Sequence, residues 1–548
     1  NAAKDVIHAT HQLAHVPSLR RGTNVVLDEQ PDFAKDLTKS GSVEAETARV
    51  RSIVNAYLDE IDAPTTTWES FVQLARLNTA GDNDATRIRD ALDDAIGTEP
   101  RTEWYVEHPD AHAFAPDLAK AVWDALRWED PDANGRRSAR TRHEPPRLDT
   151  DGEGYAGTYL TVVVDDENNV RSIRAVPDFN QARSVVGLDA HPSMPMWQLN
   201  AHPSMTRDTV LDSTERQLWR RYERGLTVVQ VGEATRPRSG SSAAEWMNDD
   251  RVRAVVDRLR DHYGGEFKTA ITTGQVERQV RGLLAEADDR VTPDNTMHYG
   301  EEKSRNDFAD ESAGLLYGCM DPGDDMILDA LAELGVEAVP ETAETEAGDV
   351  VRAKGRGFEG PEAGKAESIL ESVRENHVAQ AAGRYARNPD DPESSAVVFA
   401  MTDAHPTGFV DVETPGVEWL ATDLQREIID ELAERPSATA REIADAVGCS
   451  KEHVRQTLGK LDDDGLLDRH EGAGDYGADL FRVHDDEAAD VDLGFSEIAN
   501  DALCYPSRWS LAITFGNHVD TPPEPGESRG PASDRSTSDG AAGGALPR

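Results

Sequence analysis

Cysteine is rare in this chain, and its three residues, Cys319, Cys449 and Cys504, lie far apart with no CxxC pair. This spacing excludes a disulfide framework and a structural zinc site, and it favours a reducing compartment. Long apolar runs are also missing, since none approaches the roughly 18 residues that a membrane-spanning helix needs. No signal peptide is visible. The sequence therefore predicts a cytoplasmic protein with no membrane partner.

Positive charge is the second shortage. The chain has 57 Lys and Arg residues against 104 Asp and Glu, a formal net charge of −47, and 10 of its cations are lysines. A field of one sign repels nucleic acid. An acidic, lysine-poor surface is typical of halophilic archaea, however, and in molar salt the Debye length falls to roughly 3 Å. A DNA partner is therefore not excluded, but local arginines and stacking must hold it.

The third absence concerns phosphate binding. No GxxxxGK[ST] segment occurs in the sequence. Such a loop supplies the backbone cradle for the β- and γ-phosphates of ATP. The chain as it stands is therefore expected to hydrolyse ATP only at background.

What is present nevertheless indicates phosphate chemistry. Residues 380–387 fit the pattern QxxGRxxR. On one continuous helix, Gln380, Arg384 and Arg387 would share a face. Two guanidinium forks placed in this way can meet the charge that develops on a transferring phosphoryl group. The alternative is a solvated helix with ordinary arginines.

A second motif, residues 23–30, is a short apolar run that ends in two acids. The pattern predicts a buried parallel strand that delivers Asp28 and Glu29 at its carboxyl edge, where open α/β sheets bind ligands. There Asp28 would hold Mg²⁺ through water, and Glu29 would orient the attacking water. The alternative is a strand followed by a charged turn.

Together with two further segments, these motifs resemble the superfamily 2 helicases, and more narrowly the XPD/DinG branch. Residues 5–13 are similar to a strand and turn that precede the acidic box of that branch, and residues 185–192 are similar to its coupling motif. By this resemblance Asp189, Ala190 and His191 connect the nucleotide site to the strand-separating surface, with His191 in place of the expected Thr. The resemblance implies ATP and Mg²⁺ as cofactors and single-stranded DNA as a partner of the motor.

The resemblance also implies an α/β fold with two RecA-like doubly wound motor domains, the first of them incomplete. Residues 1–40 and 181–240 would form motor domain one, residues 41–180 a mainly helical insertion, and residues 241–416 motor domain two. A βα alternation over residues 227–318 itself favours a parallel sheet. Because the phosphate loop precedes these motifs in that branch, the chain is expected to lack its N-terminal segment; a degenerate motor is the rival explanation.

A basic run over residues 136–143 stands beside Trp123 and Trp128 within the predicted insertion. Arginine forks with an aromatic neighbour could grip the backbone of a single strand and stack a base. The other interpretation is a loop whose arginines pair with surrounding acids. The sequence does not choose between the two.

Residues 417–485 carry the pattern of an α+β winged helix-turn-helix and resemble the MarR and ArsR kinds. A helix from Asp423 is followed by a capping box, Thr439 to Glu442, which opens a second helix. The third helix would enter the major groove of duplex DNA. The residues expected to face DNA are Ser450, Lys451, His453, Arg455, Gln456 and Arg469. The alternative is a winged helix that binds protein.

Two functions from different classes remain open. The leading hypothesis is an ATP-dependent DNA helicase, translocase or DNA-dependent ATPase with an appended DNA-binding winged helix. The alternative is a non-catalytic transcriptional or replication regulator on a degenerate helicase scaffold. Residues 486–548 are acidic and then rich in Pro, Gly and Ser, so they are expected to form a largely disordered tail.

Overall fold

The fold was obtained as a computed structural model. It describes residues 6–38, 41–77, 83–109, 115–128, 131–143, 157–301, 305–345, 348–353, 355–388, 394–414, 416–417, 422–463, 467–482, 502–504 and 512–514.

The first part of the chain combines short helices with a three-stranded antiparallel sheet of order β2-β3-β4. Its helices are α1 (Pro17–Arg20), α2 (Val43–Glu60), α3 (Trp68–Arg76), α4 (Asn83–Ala95), α5 (Thr102–Glu107), α6 (Ala115–Arg127) and α7 (Met194–Asn200). Its strands are β1 (Asn24–Asp28), β2 (Arg137–His143), β3 (Thr158–Val164), β4 (Val170–Pro177) and β5 (Ser184–Leu188).

One aromatic-rich core holds α2 to α6 against this sheet. Trp123 is fully buried, and its ring lies 5.1 Å from that of Phe71. The helices begin where polar side chains cap them: the Ser42 hydroxyl accepts a hydrogen bond from the Ala45 amide at the start of α2. The sequence pattern over residues 41–180 predicted the helices but not the sheet.

Strands β1 and β5 form a separate parallel pair, with Asp28 opposite Leu188. The prediction that β1 is a buried strand is wrong, because Leu27 is its single buried residue. Only one face of this two-stranded pair is buried, and it packs on Phe179 and Trp197. The apolar side chains of the other face stay 46–60% exposed: these are Val26, Val186 and Leu188. The strand expected within residues 5–13 is also absent from the described residues 6–13, where His11–His15 form a 3₁₀ helix.

The middle of the chain forms a six-stranded, wholly parallel sheet of order β15-β6-β14-β9-β7-β8. Its strands are β6 (Leu226–Val231), β7 (Phe267–Thr272), β8 (Thr296–His298), β9 (Ala313–Tyr317), β14 (Ala396–Met401) and β15 (Val412–Thr414). Four shorter strands form two hairpin-like pairs beside it: β10 (Val339–Pro340), β11 (Thr342–Glu344), β12 (Val350–Arg352) and β13 (Phe358–Glu359).

Helices cover both faces of this sheet, as a doubly wound fold requires. The helices of this part of the chain are α8 (Ser213–Leu218), α9 (Asp249–Tyr263), α10 (Glu277–Ala287), α11 (Gly323–Leu334), α12 (Ala363–Val373) and α13 (Glu375–Ala382). Helices α9 and α10 pack on one face, and α13 packs on the other. Strand β6 lies inside this sheet, although residues 181–240 were expected to belong to motor domain one.

Helix α11 connects the two parts. Its Leu328 and Leu331 share a core with Met196 and Leu199 of α7, and its polar side faces the β2-β3-β4 sheet. The basic run is not a loop, because residues 137–143 form strand β2 at an edge of that sheet.

The next part of the chain is a compact α+β module. Its elements are α14 (Asp423–Ala433), β16 (Ala438–Thr439), α15 (Ala440–Val447), α16 (Lys451–Asp463), β17 (Asp468–His470) and β18 (Leu480–Arg482). Of the predicted tail, two short antiparallel strands are described, β19 (Ala502–Cys504) and β20 (Ala512–Thr514); the rest lies outside the described residues. Across the described parts of the chain, no helix has the length and apolar character needed to span a membrane.

Candidate functional site

The three helices of the C-terminal module are defined by local signals at their ends. Reciprocal capping boxes open α14, between Thr422 and Gln425, and α15, between Thr439 and Glu442. Helix α15 ends at Gly448, whose φ of 76° is the left-handed conformation that glycine adopts without a Cβ penalty. Helices α15 and α16 are thereby joined by a tight turn.

Helix α16 presents one apolar and one polar face. Val454, Leu458 and Leu461 are fully buried in the core of the module. Opposite them, Lys451, Glu452, Arg455, Gln456 and Lys460 are exposed, and His453 is half-buried. Most residues predicted to face DNA thus lie together on an open surface.

Two of these residues are engaged within the helix. Both carboxylate oxygens of Glu452 accept hydrogen bonds from Arg455, at 2.8 and 3.1 Å, and Gln456 donates to one of them at 3.2 Å. The bond to Arg455 keeps the pKa of the Glu452 carboxyl below its ordinary value. Glu452 therefore orients both side chains, while Arg455 and Gln456 each keep N–H donors that Glu452 does not engage.

Ser450 has a structural role that its sequence position did not reveal. Its hydroxyl accepts a hydrogen bond from the backbone amide of His453 at 3.2 Å, which caps the first turn of α16. The hydroxyl can still donate to a phosphate, because only its acceptor capacity is used.

The antiparallel strands β17 and β18 form the wing. Arg469, the remaining predicted DNA contact, donates to Asp479 at 2.6 Å across the hairpin. The wing tip also holds Tyr476, fully exposed with a left-handed φ of 58°. Sequence reasoning missed Tyr476, although an aromatic residue in a Gly-rich tip, between Asp475 and Gly477, was a visible signal.

Asp28 and Glu29 stand at the carboxyl end of β1. The Asp28 carbonyl accepts a hydrogen bond from His11 Nε2 at 3.0 Å, while its carboxylate is exposed. Glu29 has a left-handed φ of 63°, and its amide donates to the Leu188 carbonyl. No group of three or more His, Cys, Asp or Glu side chains is placed to hold a metal ion within the described parts of the chain. Water-mediated Mg²⁺ binding by Asp28 stays a prediction.

Hydrogen bonds connect the turn after β5 both to the first part of the chain and to the part that contains the six-stranded sheet. Asp189 accepts a hydrogen bond from Trp197 Nε1 at 2.9 Å, and the Trp197 ring leaves no room for a Cβ at Gly187. The His191 carbonyl accepts from Asn376 of α13 at 2.6 Å, and the Ala190 carbonyl accepts from Arg216 at 3.3 Å. Of the predicted coupling residues, His191 thus contacts α13, the helix that carries Gln380.

The environment of His191 is positively charged as well as buried. Burial, and to a smaller extent the charges of Arg216, Arg220 and Arg207, lower the pKa of His191 to about 4. His191 is therefore neutral at physiological pH.

The prediction that Gln380, Arg384 and Arg387 share one helix face is wrong. Helix α13 ends at Ala382, and the backbone at Ala386 turns left-handed with a φ of 47°. As a result Arg384 is buried and Arg387 is exposed.

Two arginines that sequence reasoning missed, Arg220 and Arg224, lie beside this segment. Arg224 caps the end of α13 by donating to the Gly383 carbonyl at 3.0 Å and the Tyr385 carbonyl at 3.2 Å. Burial lowers the pKa of Arg224, and so do the charges of Arg387, Arg220 and Arg384. The segment is therefore an arginine cluster in an acidic chain, and the sequence signal was the arginine-rich stretch over residues 216–224.

The basic run supports mainly its pairing interpretation. Arg136 donates to Asp325 at 2.8 Å and Asp329 at 2.5 Å, both on α11. Arg137 pairs with Asp166 at 3.2 Å, and Arg142 pairs with Asp178 at 2.9 Å. Arg140 differs, because it stacks on a tyrosine ring.

One comparison with known proteins found a match. A family model described as winged helix-turn-helix DNA-binding matches residues 422–468, from the cap of α14 into β17. No match was found among curated proteins or among solved structures. The C-terminal module is thus a winged helix-turn-helix DNA-binding domain.

Proposed function

We propose that the chain binds duplex DNA in the cytoplasm by inserting α16 into the major groove. The observation that carries this proposal is the exposed polar face of α16, with Lys451, Arg455 and Lys460, on a domain that matches a DNA-binding family. A winged helix of this kind reads base edges from the first residues of its third helix. In a chain with a net charge of −47, such a face is a local exception.

The contacts divide into two kinds. Lys451 and the Ser450 hydroxyl lie at the N-terminus of α16, where backbone dipoles also favour a phosphate. Arg455 and Gln456 lie one turn further on, where they can donate to a guanine or an adenine edge. Glu452 holds both in place and can itself accept from cytosine N4 once they are released.

Replacing Arg455 with alanine tests this assignment. Duplex affinity is expected to fall about tenfold, because one guanidinium contact to a base edge is lost. Fluorescence anisotropy with a labelled duplex measures the effect.

The matched control for Arg455 is Arg87, which is exposed on α4 and pairs with an acid three residues away, as Arg455 does. Arg87→Ala is expected to leave duplex affinity unchanged. Equal losses from both substitutions would show that net charge, rather than α16, governs binding.

We further propose that the α/β part belongs to a DNA-dependent ATPase or helicase. The supporting observation is the hydrogen bond from Asn376 of α13 to the His191 carbonyl, since it connects the turn after β5 to the helix that leads to the arginine cluster. In this proposal ATP with Mg²⁺ binds near Asp28 and Glu29, and single-stranded DNA is the partner of the motor.

ATP turnover separates this proposal from a non-catalytic regulator. The 548-residue chain is expected to show background turnover, because its sequence holds no GxxxxGK[ST] loop. In a longer form that supplies such a loop, Arg387→Ala is expected to reduce DNA-stimulated turnover at least a thousandfold and leave duplex binding intact. Wild-type turnover in that variant would refute the role of Arg387; background turnover in the longer wild type would favour the regulator.

A further inference from the structure

A cavity of about 280 Å³ opens beside the end of the β2-β3-β4 sheet, and no described residue of the winged helix lines it. It is close to the lower end of the roughly 300–1,000 Å³ range of small-molecule cavities. Its walls come from β2, β3, the end of β4 and the segment after α7: Arg140, Arg142, Tyr159, Pro177, Phe179, Asn180, Ala201, His202 and Pro203.

The cavity differs from the rest of the surface in charge. Among the described residues that line it there is no acid, and the nearest one, Asp178, is buried behind Arg142, whereas the chain has 104 Asp and Glu among 548 residues. Two arginines and a histidine face the space instead. A ligand that fits this lining carries negative charge.

The register of β2 explains why Arg140 and Arg142 border the cavity. Residues 136, 138, 140 and 142 share one face of the strand, since side chains alternate. The first two are used by α11: Arg136 pairs with Asp329, and the Ser138 hydroxyl donates to the Ala332 carbonyl at 2.6 Å. Arg140 and Arg142 lie further along, where their face borders the cavity.

Arg140 is stacked but not hydrogen-bonded. Its guanidinium carbon lies 4.0 Å from the centre of the Tyr159 ring. Within the described part of the chain, it makes no hydrogen bond or ion pair, in contrast to Arg136, Arg137 and Arg142. Its donors therefore remain open to a ligand, while Tyr159 fixes the plane of the group.

The other polar groups of the cavity are held in position. Buried Asp178 accepts from Arg142 at 2.9 Å and from the Asn180 amide at 2.6 Å. The Asn180 carbonyl oxygen lies 3.1 Å from His202 Nε2. This chain of hydrogen bonds fixes Arg142, Asn180 and His202 before a ligand arrives.

We propose that this cavity binds one nucleotide of a single-stranded nucleic acid. Arg140 donates to its phosphate, and its base stacks on the Arg140–Tyr159 pair, since guanidinium planes and aromatic rings both stack unpaired bases. A duplex cannot offer a base in this way without unstacking it. The site is separate from α16 and goes beyond the duplex binding proposed for the winged helix.

Binding of a labelled oligothymidylate by the full chain tests the proposal, measured by fluorescence anisotropy. Arg140→Gln is expected to weaken binding about tenfold, the scale of one lost stacking contact. Arg140→Lys keeps the charge but loses the planar stack, so an intermediate loss is expected. Neither change breaks a hydrogen bond within the described protein, which keeps the fold intact. Arg87→Gln serves as the charge control and is expected to have no effect.

Three outcomes would overturn the proposal. The first is an unchanged oligothymidylate affinity in Arg140→Gln. The second is equal competition by free dTMP or ATP, which would make the cavity a site for free nucleotides. The third is a loss of oligothymidylate binding in Arg455→Ala, which would assign the single strand to the winged helix. Retained oligothymidylate binding in Arg455→Ala, with weakened duplex binding, supports two separate sites.

Discussion

Replacing Glu333 with alanine is expected to lower the free energy of unfolding by about 3–5 kcal/mol, because it leaves the buried cation of Arg174 without its nearest and only buried carboxylate among the described residues, and the exposed Asp32 remains at 3.5 Å. The side chains of Arg174 on β4 and Glu333 on α11 are 9% and 1% exposed, and they meet at 2.6 Å. Arg174 also donates to Asn200 at 2.6 Å. The pair joins the antiparallel sheet to the second α/β part, so urea unfolding should report its loss directly.

The matched control is Glu286, whose pair with Arg253 is exposed, at 59% and 36% of the two side chains. Glu286→Ala is expected to cost less than about 1 kcal/mol. A double change, Arg174→Met with Glu333→Leu, should recover most of the loss, because it removes both buried charges. A Glu333→Ala variant no less stable than Glu286→Ala would contradict the packing of α11 on the sheet.

Replacing Tyr385 with alanine is expected to cost a similar amount, about 3–5 kcal/mol, through the cavity it leaves. Tyr385 is fully buried, and its ring lies 5.5 Å from that of Phe308. The ring also occupies the space where a Cβ at Gly314 would stand, so the central strand β9 needs glycine there. The urea-unfolding midpoint of the full chain measures the effect.

Tyr385→Phe is the control for the ring. It removes only the contact of the hydroxyl with Thr269 Oγ1 at 3.2 Å and should cost about 1 kcal/mol. Gly314→Ala is expected to destabilise as well, by about 1–3 kcal/mol, because its methyl group meets the ring. Similar stabilities for the Ala and Phe variants at Tyr385 would contradict its place in the core.

The octapeptide shows the limit of sequence reasoning most clearly. Spacing alone placed Arg384 and Arg387 on a common face, but the need to bury Tyr385 against Gly314 ends the helix early. That need depends on a strand about 70 residues away in the chain. No local pattern contains it.

The winged helix could be predicted because its signals are local. The capping box at Thr439 and Glu442 and the turn at Gly448 lie within a few residues of the ends they define. The surroundings of the basic run could not be predicted in the same way. The acids that pair with Arg136 lie on α11, nearly 200 residues later in the chain. Only the folded chain shows that these acids pair with Arg136 and not with Arg140, which borders the cavity.

The salt dependence of duplex binding tests the central claim most directly. For the wild-type chain and for Lys451→Ala with Arg455→Ala, the logarithm of the binding constant is measured against the logarithm of the salt concentration. The comparison largely cancels the repulsion from the net charge of −47, which is nearly the same in both. If α16 lies in the major groove, the double variant binds more weakly, because both contacts are lost, and its slope is shallower by about 1, because Lys451 is the phosphate contact of the two. An unchanged slope and affinity would contradict the claim that α16 binds DNA.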